Sequence, residues 1–280
     1  MKHLRVIISF LTVLSIFPPL NAYNIRQINS RDGLSNSAVI CLYQDQDYYL
    51  WIGTYDGLNK YNGIDIETYK PNINDPNSIS GNVIRKIVES KGDYLWIMTK
   101  WGLNKYSKKQ NKVEAYFDEF KEECSVTRDS EGNIFVLTQA GILYYYDFDK
   151  KEFQKIDFPE SKPYRGWVNL TIDFEDTVWI TNNGIITQFV IDWTNSSFLR
   201  LVKIQNLDHP EAITHIFYDK ENLIIVDRKG DLFLVRSGEK TFVKNLRPII
   251  AERGDIASII FDRNDILIAF RTSGLIKPDS

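Results

Sequence analysis

The chain has 280 residues, of which 43% are apolar, 25% are charged and 13% are aromatic. These values are ordinary for a folded globular protein with a sizeable core. The net charge of −3 and the pI near 5.7 give no electrostatic reason to bind nucleic acid or an anionic membrane, so we expect neither as a partner.

Residues 1–22 are typical of a secretory signal peptide. Lys2 and Arg5 form a basic start, an apolar run follows from Val6 to Phe17, and Ala22 ends a plausible cleavage site. An uncleaved N-terminal anchor is the alternative, although the apolar run is short for a membrane span. The sequence therefore predicts export to the periplasm.

A twelve-residue sequence occurs twice, as LWIGTYDGLNKY at 50–61 and as LWIMTKWGLNKY at 95–106. Four fainter copies follow, and one aligned position marks all six. The marker residues are Trp51, Trp96, Phe135, Trp179, Ile224 and Ile268, at spacings of 39 to 45 residues. A period of this length predicts a repeat architecture.

Each copy belongs to a repeat with four strand-like runs. In the first repeat these runs are Ala38–Tyr43, Leu50–Thr54, Gly57–Tyr61 and Ile66–Tyr69. Acidic, turn-forming connectors such as DQDYY and SKGDY separate the first two runs. No stretch after the signal peptide shows sustained helical periodicity. Four antiparallel strands in each repeat predict an all-β fold, a β-propeller of four-stranded blades.

We predict one propeller over residues 23–280, with about six repeats. Residues 23–29 are expected to form a closing strand, and the sequence stops partway through the sixth repeat. The expected ring is therefore an incomplete seven-bladed one, in either a truncated product or a piece of a longer protein. The predicted blades span residues 30–70, 80–118, 122–157, 166–205, 212–246 and 255–280, and the last of them is partial.

The segment from Gly33 to Gly63, GLSNSAVICLYQDQDYYLWIGTYDGLNKYNG, resembles the two-component regulator propeller repeat. The resemblance is strongest over residues 31–107. It implies the periplasmic sensor region of a hybrid two-component system, which senses carbohydrates. In that family two propellers precede an immunoglobulin-like domain, a membrane helix, a histidine kinase and a response regulator. We find none of these later parts in the sequence, so we expect no catalysis by this chain. The resemblance implies neighbouring propeller or sensor modules as partners and is compatible with dimerisation.

The repeated residues have a functional and a structural interpretation. The recurring tryptophans could stack on sugars, but their fixed strand position favours packing between blades. The recurring aspartates of the acidic connectors, such as Asp45, Asp129 and Asp173, could be metal ligands or catalytic carboxylates. Because they recur in one turn of successive blades, turn formation is the favoured interpretation. Cys41 and Cys124 are interpreted as small buried side chains.

Ligand binding is expected on the loops that enter each first strand and join the second strand to the third, since these loops share one rim and vary between repeats. Aromatic faces beside amide and cationic groups suit an oligosaccharide, and the cations suit an acidic one. Solvated loops, or a surface that docks a neighbouring domain, are the alternatives. The candidate residues are Tyr55, Asp56, Lys100, Trp101, Arg165, Trp167, Asn182, Asn183, Arg228 and Arg271.

Enzymatic function has little support in the sequence. His209 and His215 are the two histidines after the signal peptide, and no nucleophile elbow, zinc spacing or phosphate-binding glycine loop occurs. We therefore predict no metal and no cofactor. The leading hypothesis is a ligand-sensing propeller. The alternatives are a propeller enzyme of the lyase or glycosidase type that acts on polysaccharide, a protein-interaction scaffold, and a truncated remnant of a sensor.

Overall fold

A computed structural model of the protein describes residues 28–121, 124–157, 163–165, 168–173, 175–182, 185–192, 200–209, 211, 213–219, 222–236, 239–262, 265–270 and 274–276. The predicted signal peptide and most of the predicted closing strand lie outside these residues, so both stay predictions.

Each repeat forms an antiparallel sheet with its strands in chain order. Blade 1 has β1 (Val39–Gln44), β2 (Leu50–Thr54), β3 (Gly57–Tyr61) and β4 (Ile66–Tyr69). Blade 2 has β5 (Ile84–Ser90), β6 (Tyr94–Thr99), β7 (Gly102–Ser107) and β8 (Lys112–Phe117). Blade 3 has β9 (Cys124–Arg128), β10 (Ile134–Thr138), β11 (Leu143–Asp147) and β12 (Glu152–Ile156). Blade 4 has β13 (Val168–Ile172), β14 (Thr177–Asn182), β15 (Ile185–Asp192) and β16 (Arg200–Asp208). Blade 5 has β17 (Ile213–Asp219), β18 (Asn222–Asp227), β19 (Asp231–Arg236) and β20 (Glu239–Asn245). A sixth sheet has β21 (Ile256–Asp262), β22 (Asp265–Phe270) and β23 (Gly274–Ile276).

These sheets confirm the all-β propeller with four-stranded blades. In the described residues the complete blades number five rather than six or seven, because the sixth repeat supplies three strands. The first strand of one blade contacts the first strand of the next, as β1 does with β5, β5 with β9, and β9 with β13. The first strands of blades 1 to 4 therefore lie side by side, in the position that lines the central channel of a propeller. A ring of seven blades stays a prediction.

In the described residues, one α-helix lies between the strands, in a segment whose sequence shows no sustained helical periodicity. Helix α1 (Arg247–Arg253) connects blade 5 to the sixth sheet. Pro248 in its first turn favours the helical φ, and Gly254, at φ 90°, ends the helix. Short 3₁₀ turns lie at Ser30–Asp32 and Asp118–Phe120. In the described part of the chain, no helix is both long enough and apolar enough to span a membrane.

The repeated acid and the repeated tryptophan form one structural unit. In blade 1, Asp45 Oδ1 accepts the backbone N–H groups of Asp47 (3.0 Å) and Tyr49 (2.9 Å), while Oδ2 accepts Trp51 Nε1 at 2.8 Å. Trp179 donates in the same way to Asp173 Oδ2 in blade 4, at 2.9 Å. These carboxylates therefore close the turn and hold the indole, which confirms the structural interpretation of both.

Blade 3 closes the same turn with other residues. Its marker residue is Phe135, which cannot donate a hydrogen bond. Asn133 Nδ2 donates to Asp129 Oδ2 at 2.7 Å instead, and the Asn133 backbone N–H donates to Oδ1 at 2.8 Å. The second carboxylate oxygen of the turn is thus satisfied by a side chain whether or not a tryptophan is present.

The hydrophobic core consists of separate layers between neighbouring blades. Trp51 and Leu58 of blade 1 pack with Ile87 and Leu95 of blade 2, and equivalent layers join each later pair. Blade faces rather than a single centre therefore bury the apolar surface. Cys41 and Cys124 are free and half-buried, and burial raises the pKa of each thiol to about 12.

Candidate functional site

The turns between second and third strands lie at the rim where each first strand begins. In blade 1, the Tyr55 N–H donates to the Ala38 carbonyl oxygen at 3.3 Å, just before β1 starts. In blade 2, the Lys100 N–H donates to the Val83 carbonyl oxygen at 3.2 Å, just before β5 starts. The predicted residues Tyr55, Asp56, Lys100 and Trp101 therefore share one rim, as expected from propeller topology.

A buried polar network fixes the rim turn of blade 1. Asn59 Nδ2 donates to the Ile52 carbonyl oxygen at 3.0 Å and to Ser35 Oγ at 2.8 Å, while Asn59 Oδ1 accepts the Ser35 N–H at 2.8 Å. Thr54 Oγ1 lies 2.9 Å from Ser35 Oγ and accepts the Asp56 N–H at 3.1 Å. The turn that carries Tyr55 and Asp56 is thereby held to the entry segment of its own blade.

Blade 2 repeats this network in Ser80, Thr99 and Asn104. Asn104 Nδ2 donates to Ser80 Oγ at 2.9 Å and to the Ile97 carbonyl oxygen at 3.1 Å, and the Trp101 N–H donates to Thr99 Oγ1 at 3.1 Å. The asparagine of the repeated GLNKY sequence is therefore a positioning residue for the rim. Sequence reasoning missed this role, although the repeated Ser, Thr and Asn were visible in both copies.

Asp56 is an exposed carboxylate with two partners from other segments. Lys70 Nζ lies 2.6 Å from Asp56 Oδ2, and Asn82 Nδ2 of the loop that enters blade 2 donates to Asp56 Oδ1 at 3.3 Å. The hydrogen bond from Lys70 lowers the pKa of Asp56 below its usual value, and the bond from Asn82 adds to this effect. Asn82 thus links the rim loops of blades 1 and 2, and Tyr55 is exposed beside them.

Trp101 is an exposed indole held on a glycine. A Cβ atom on Gly81 would lie 2.8 Å from Trp101 Cδ1, so only glycine leaves room for the ring at this distance. On the other side, the Tyr116 hydroxyl donates to the Trp101 carbonyl oxygen. Lys100 Nζ lies 5.5 Å from the centroid of the indole, within the range of a cation–π contact. Trp101 remains 53% exposed and therefore offers a positioned apolar face to solvent.

The other predicted residues lie further along the ring. Asn182 Nδ2 donates to the Arg165 carbonyl oxygen at 3.0 Å, which joins two of them in blade 4. Arg228 is exposed in the turn between β18 and β19 of blade 5. Trp167, Asn183 and Arg271 lie outside the described residues. Blades 1, 2 and 4 therefore each have two described candidates, and blade 5 has one.

Blade 5 has a different rim network that sequence reasoning missed. Asp227 occupies the position of Thr54 in the repeat, and its Oδ1 accepts the N–H groups of Lys229 and Asp231, each at 2.9 Å. His209 Nε2 lies 3.0 Å from Asp227 Oδ2, and both side chains are buried. Lys240 Nζ lies 2.8 Å from His209 Nδ1. Because this group is buried, its visible role is to hold the turn of blade 5.

The rim of blades 1 and 2 offers apolar, cationic and anionic groups in one band. Trp101 and Tyr55 supply aromatic surface, Lys100 supplies donors, and the Asp56–Lys70 pair supplies both signs of charge. Such a surface can stack on a ring and bind its hydroxyl groups. Among the residues that the structure describes, no group of three or more His, Cys, Asp or Glu side chains is placed to hold a metal ion.

Known proteins with the same repeat and fold agree with this description. Residues 33–56 match the family model described as two component regulator propeller. Histidine kinase P4 of Formosa agariphila is 37% identical over 70 residues, which cover 25% of this chain and 5% of that protein.

Two solved structures also share the fold, both of extracellular domains of putative hybrid two-component systems from B. thetaiotaomicron. The first is 22% identical with a TM-score of 0.65, over 91% of this chain and 35% of that chain. The second is 17% identical with a TM-score of 0.62, over 86% of this chain and 33% of that chain. This chain thus spans a minor part of the length of each relative. It is a β-propeller with the fold of these extracellular domains, and its residues 33–56 match the two-component regulator propeller repeat.

Proposed function

We propose that the protein is a ligand-sensing propeller that binds an oligosaccharide on the rim of blades 1 and 2. The observation that carries this proposal is Trp101, a half-exposed indole seated on Gly81 with Lys100 beside it. A fixed aromatic face loses little conformational entropy when a ligand stacks on it. Tyr55 and the Asp56–Lys70 pair, linked to blade 2 through Asn82, extend the surface beyond one sugar ring.

The positions of the carboxylates support ligand binding without catalysis. An enzyme of the glycosidase type needs two carboxyl groups converging on one bond. Asp45, Asp129 and Asp173 are instead occupied by turn N–H groups and by side-chain donors, each within its own blade. The rim carboxylate Asp56 is paired with Lys70.

We further propose that the propeller works outside the cytoplasm, in the periplasm, next to other propeller or sensor modules. The two solved relatives are described as extracellular domains of sensor systems, which supports this location. A seven-bladed ring and dimerisation belong to the same proposal.

Calorimetric titration with a panel of oligosaccharides tests the binding proposal. We expect one member of the panel to bind the wild-type chain and Trp101→Ala to weaken this binding about ten-fold or more, since an aromatic anchor typically contributes over 1 kcal/mol. Phe242→Ala is the matched control, because Phe242 is 55% exposed, close to the value for Trp101, but lies on β20 of blade 5. Equal losses in both variants, or no binding by the folded wild-type chain, would refute the proposal.

A further inference from the structure

Two adjacent cations lie on the innermost strand of blade 2. Arg85 and Lys86 follow Ile84, the first residue of β5, which pairs with Thr99 at the rim turn. The register with β6 shifts between Ile84 and Lys86, so Arg85 is the extra residue of a β-bulge. The same bulge recurs at this position in blades 1 and 5 and in the sixth sheet, so it is a feature of the blade that leaves one residue outside the strand pairing. Both cations are therefore one or two residues below the rim that carries Trp101.

The position of β5 places these residues next to the central channel. β5 contacts β1 on one side and β9 on the other, so it belongs to the inner ring of strands. Arg85 is nevertheless exposed. Lys86 is surrounded by protein yet keeps part of its surface open to solvent, which is expected of a residue that lines a channel.

In the described part of the chain, neither cation has an acidic partner. Among the residues that the structure describes, none forms an ion pair or a side-chain hydrogen bond with Arg85 or Lys86. The ionisable neighbours of Lys86 are the thiols of Cys41 in blade 1 and Cys124 in blade 3, which burial keeps neutral. Burial lowers the pKa of Lys86 to about 8, so the amine is still mostly protonated at pH 7.

Lys108 on the same blade is a buried cation that is paired with carboxylates, as buried cations normally are. Its Nζ lies 2.5 Å from Glu89 Oε1, 2.9 Å from Asp47 Oδ2 and 3.7 Å from Asp45 Oδ2. Burial lowers the pKa of Lys108, but the hydrogen bonds with Glu89 and Asp47 outweigh this effect and raise it. Buried charges are normally paired in this way, so Lys86, which has no counter-charge among the described residues, needs an explanation, and the exposed Arg85 adds a second positive charge beside it.

The same level of the channel is polar in later blades. Lys86 pairs with Met98, and the equivalent first-strand positions are Asn169, paired with Thr181, and His215, paired with Val226. These residues are half-buried on first strands, as Lys86 is. The first-strand positions at this level are therefore polar in blades 2, 4 and 5, and the two adjacent cations lie in blade 2.

We propose that the mouth of the central channel at blade 2 is an oxyanion-binding site in which Arg85 and Lys86 bind a carboxylate or sulfate group. The guanidinium offers a planar fork for two oxygens, and the ammonium adds a point charge beside it. A bound oxyanion supplies the missing counter-charge. The site uses none of the aromatic rim residues, so it does not depend on the proposed stacking at Trp101.

Calorimetry on the full chain at low ionic strength tests the site with three probes: inorganic sulfate, an oligogalacturonate and a neutral oligosaccharide of equal length. We expect sulfate, the oligogalacturonate or both to bind, and the neutral sugar to bind more weakly. Binding of sulfate identifies a free ion as a ligand, and binding of the oligogalacturonate alone identifies an anion carried on a saccharide.

Four variants decide the outcome. Lys86→Met and Arg85→Gln should each weaken oxyanion binding about ten-fold or more, because each removes a charge-assisted contact. Lys150→Met removes the same unit of charge at an exposed ion pair with Asp147 and should leave binding unchanged. Trp101→Ala should retain sulfate binding, which separates this site from the stacking proposal. Absence of oxyanion binding in the wild-type chain, equal binding of the neutral sugar, or full binding by Lys86→Met and Arg85→Gln would overturn the inference.

Discussion

The hydrogen bond between Trp179 and Asp173 permits a sharp test of how a blade is held together. Trp179 is 4% exposed, and its Nε1 donates to a carboxylate oxygen at 2.9 Å. Trp179→Phe removes this donor and leaves a small void. A hydrogen bond to a charged group contributes about 1.5–3 kcal/mol, and a void the size of a methyl group costs about 1 kcal/mol. We therefore expect a loss of about 3 kcal/mol in the free energy of unfolding.

Blade 3 supplies the design of the rescue variant. There Phe135 stands in place of the tryptophan, and Asn133, two residues earlier, donates to the acid. The equivalent of Asn133 in blade 4 is Thr177, whose backbone N–H already donates to Asp173 Oδ1 at 2.8 Å. Thr177→Asn in the Trp179→Phe background should therefore recover about 1–2 kcal/mol, the contribution of a restored hydrogen bond to the carboxylate.

Urea unfolding followed by circular dichroism measures these differences. Trp96→Phe is the control, because Trp96 Nε1 donates at 2.9 Å to the neutral Ser90 hydroxyl. That hydrogen bond contributes about 0.5–1.5 kcal/mol, so Trp96→Phe should cost less than Trp179→Phe. If Trp179→Phe were as stable as the wild-type chain, or if Thr177→Asn recovered nothing, the hydrogen bond would not stabilise the blade.

Three further changes test the rim and the channel. Asn59→Ala removes four hydrogen bonds from a buried network and should lower the free energy of unfolding by about 2–4 kcal/mol. Asn74→Ala in an exposed turn should stay within about 0.5 kcal/mol in the same urea assay. Gly81→Ala places a Cβ 2.8 Å from the Trp101 ring, so acrylamide quenching of tryptophan fluorescence should rise, and this change should vanish in a Trp101→Phe background. The pKa of Lys86 is lowered to about 8 from an ordinary value near 10.5. Between these pH values the unfolded chain therefore binds more protons than the folded chain. The wild-type chain should thus gain stability relative to Lys86→Met as the pH rises from 7 to 10. The full gain is about 3 kcal/mol, and equal pH profiles of the two chains in urea unfolding would contradict the burial of this cation.

The sequence by itself determined the blade, because the features that make a blade are local. The alternation in LWIGT and GLNKY sets two strands, Gly57 at φ 140° permits the turn between them, and the acidic connector caps its own backbone. The period of 39 to 45 residues then fixes the repetition. The structural interpretation of Trp51 and Asp45 followed from the same repetition, since a site would not recur around a ring.

Only the tertiary structure decided which residues of different blades meet. Asn82 reaches Asp56 across 26 positions of sequence, and Lys108 reaches Asp47 across 61. The sequence marks each residue as polar but does not give its partner, because the partner depends on the packing of one blade against the next. For the same reason, the lack of an ion pair to Arg85 and Lys86 among the described residues becomes visible only when β5 is placed between β1 and β9.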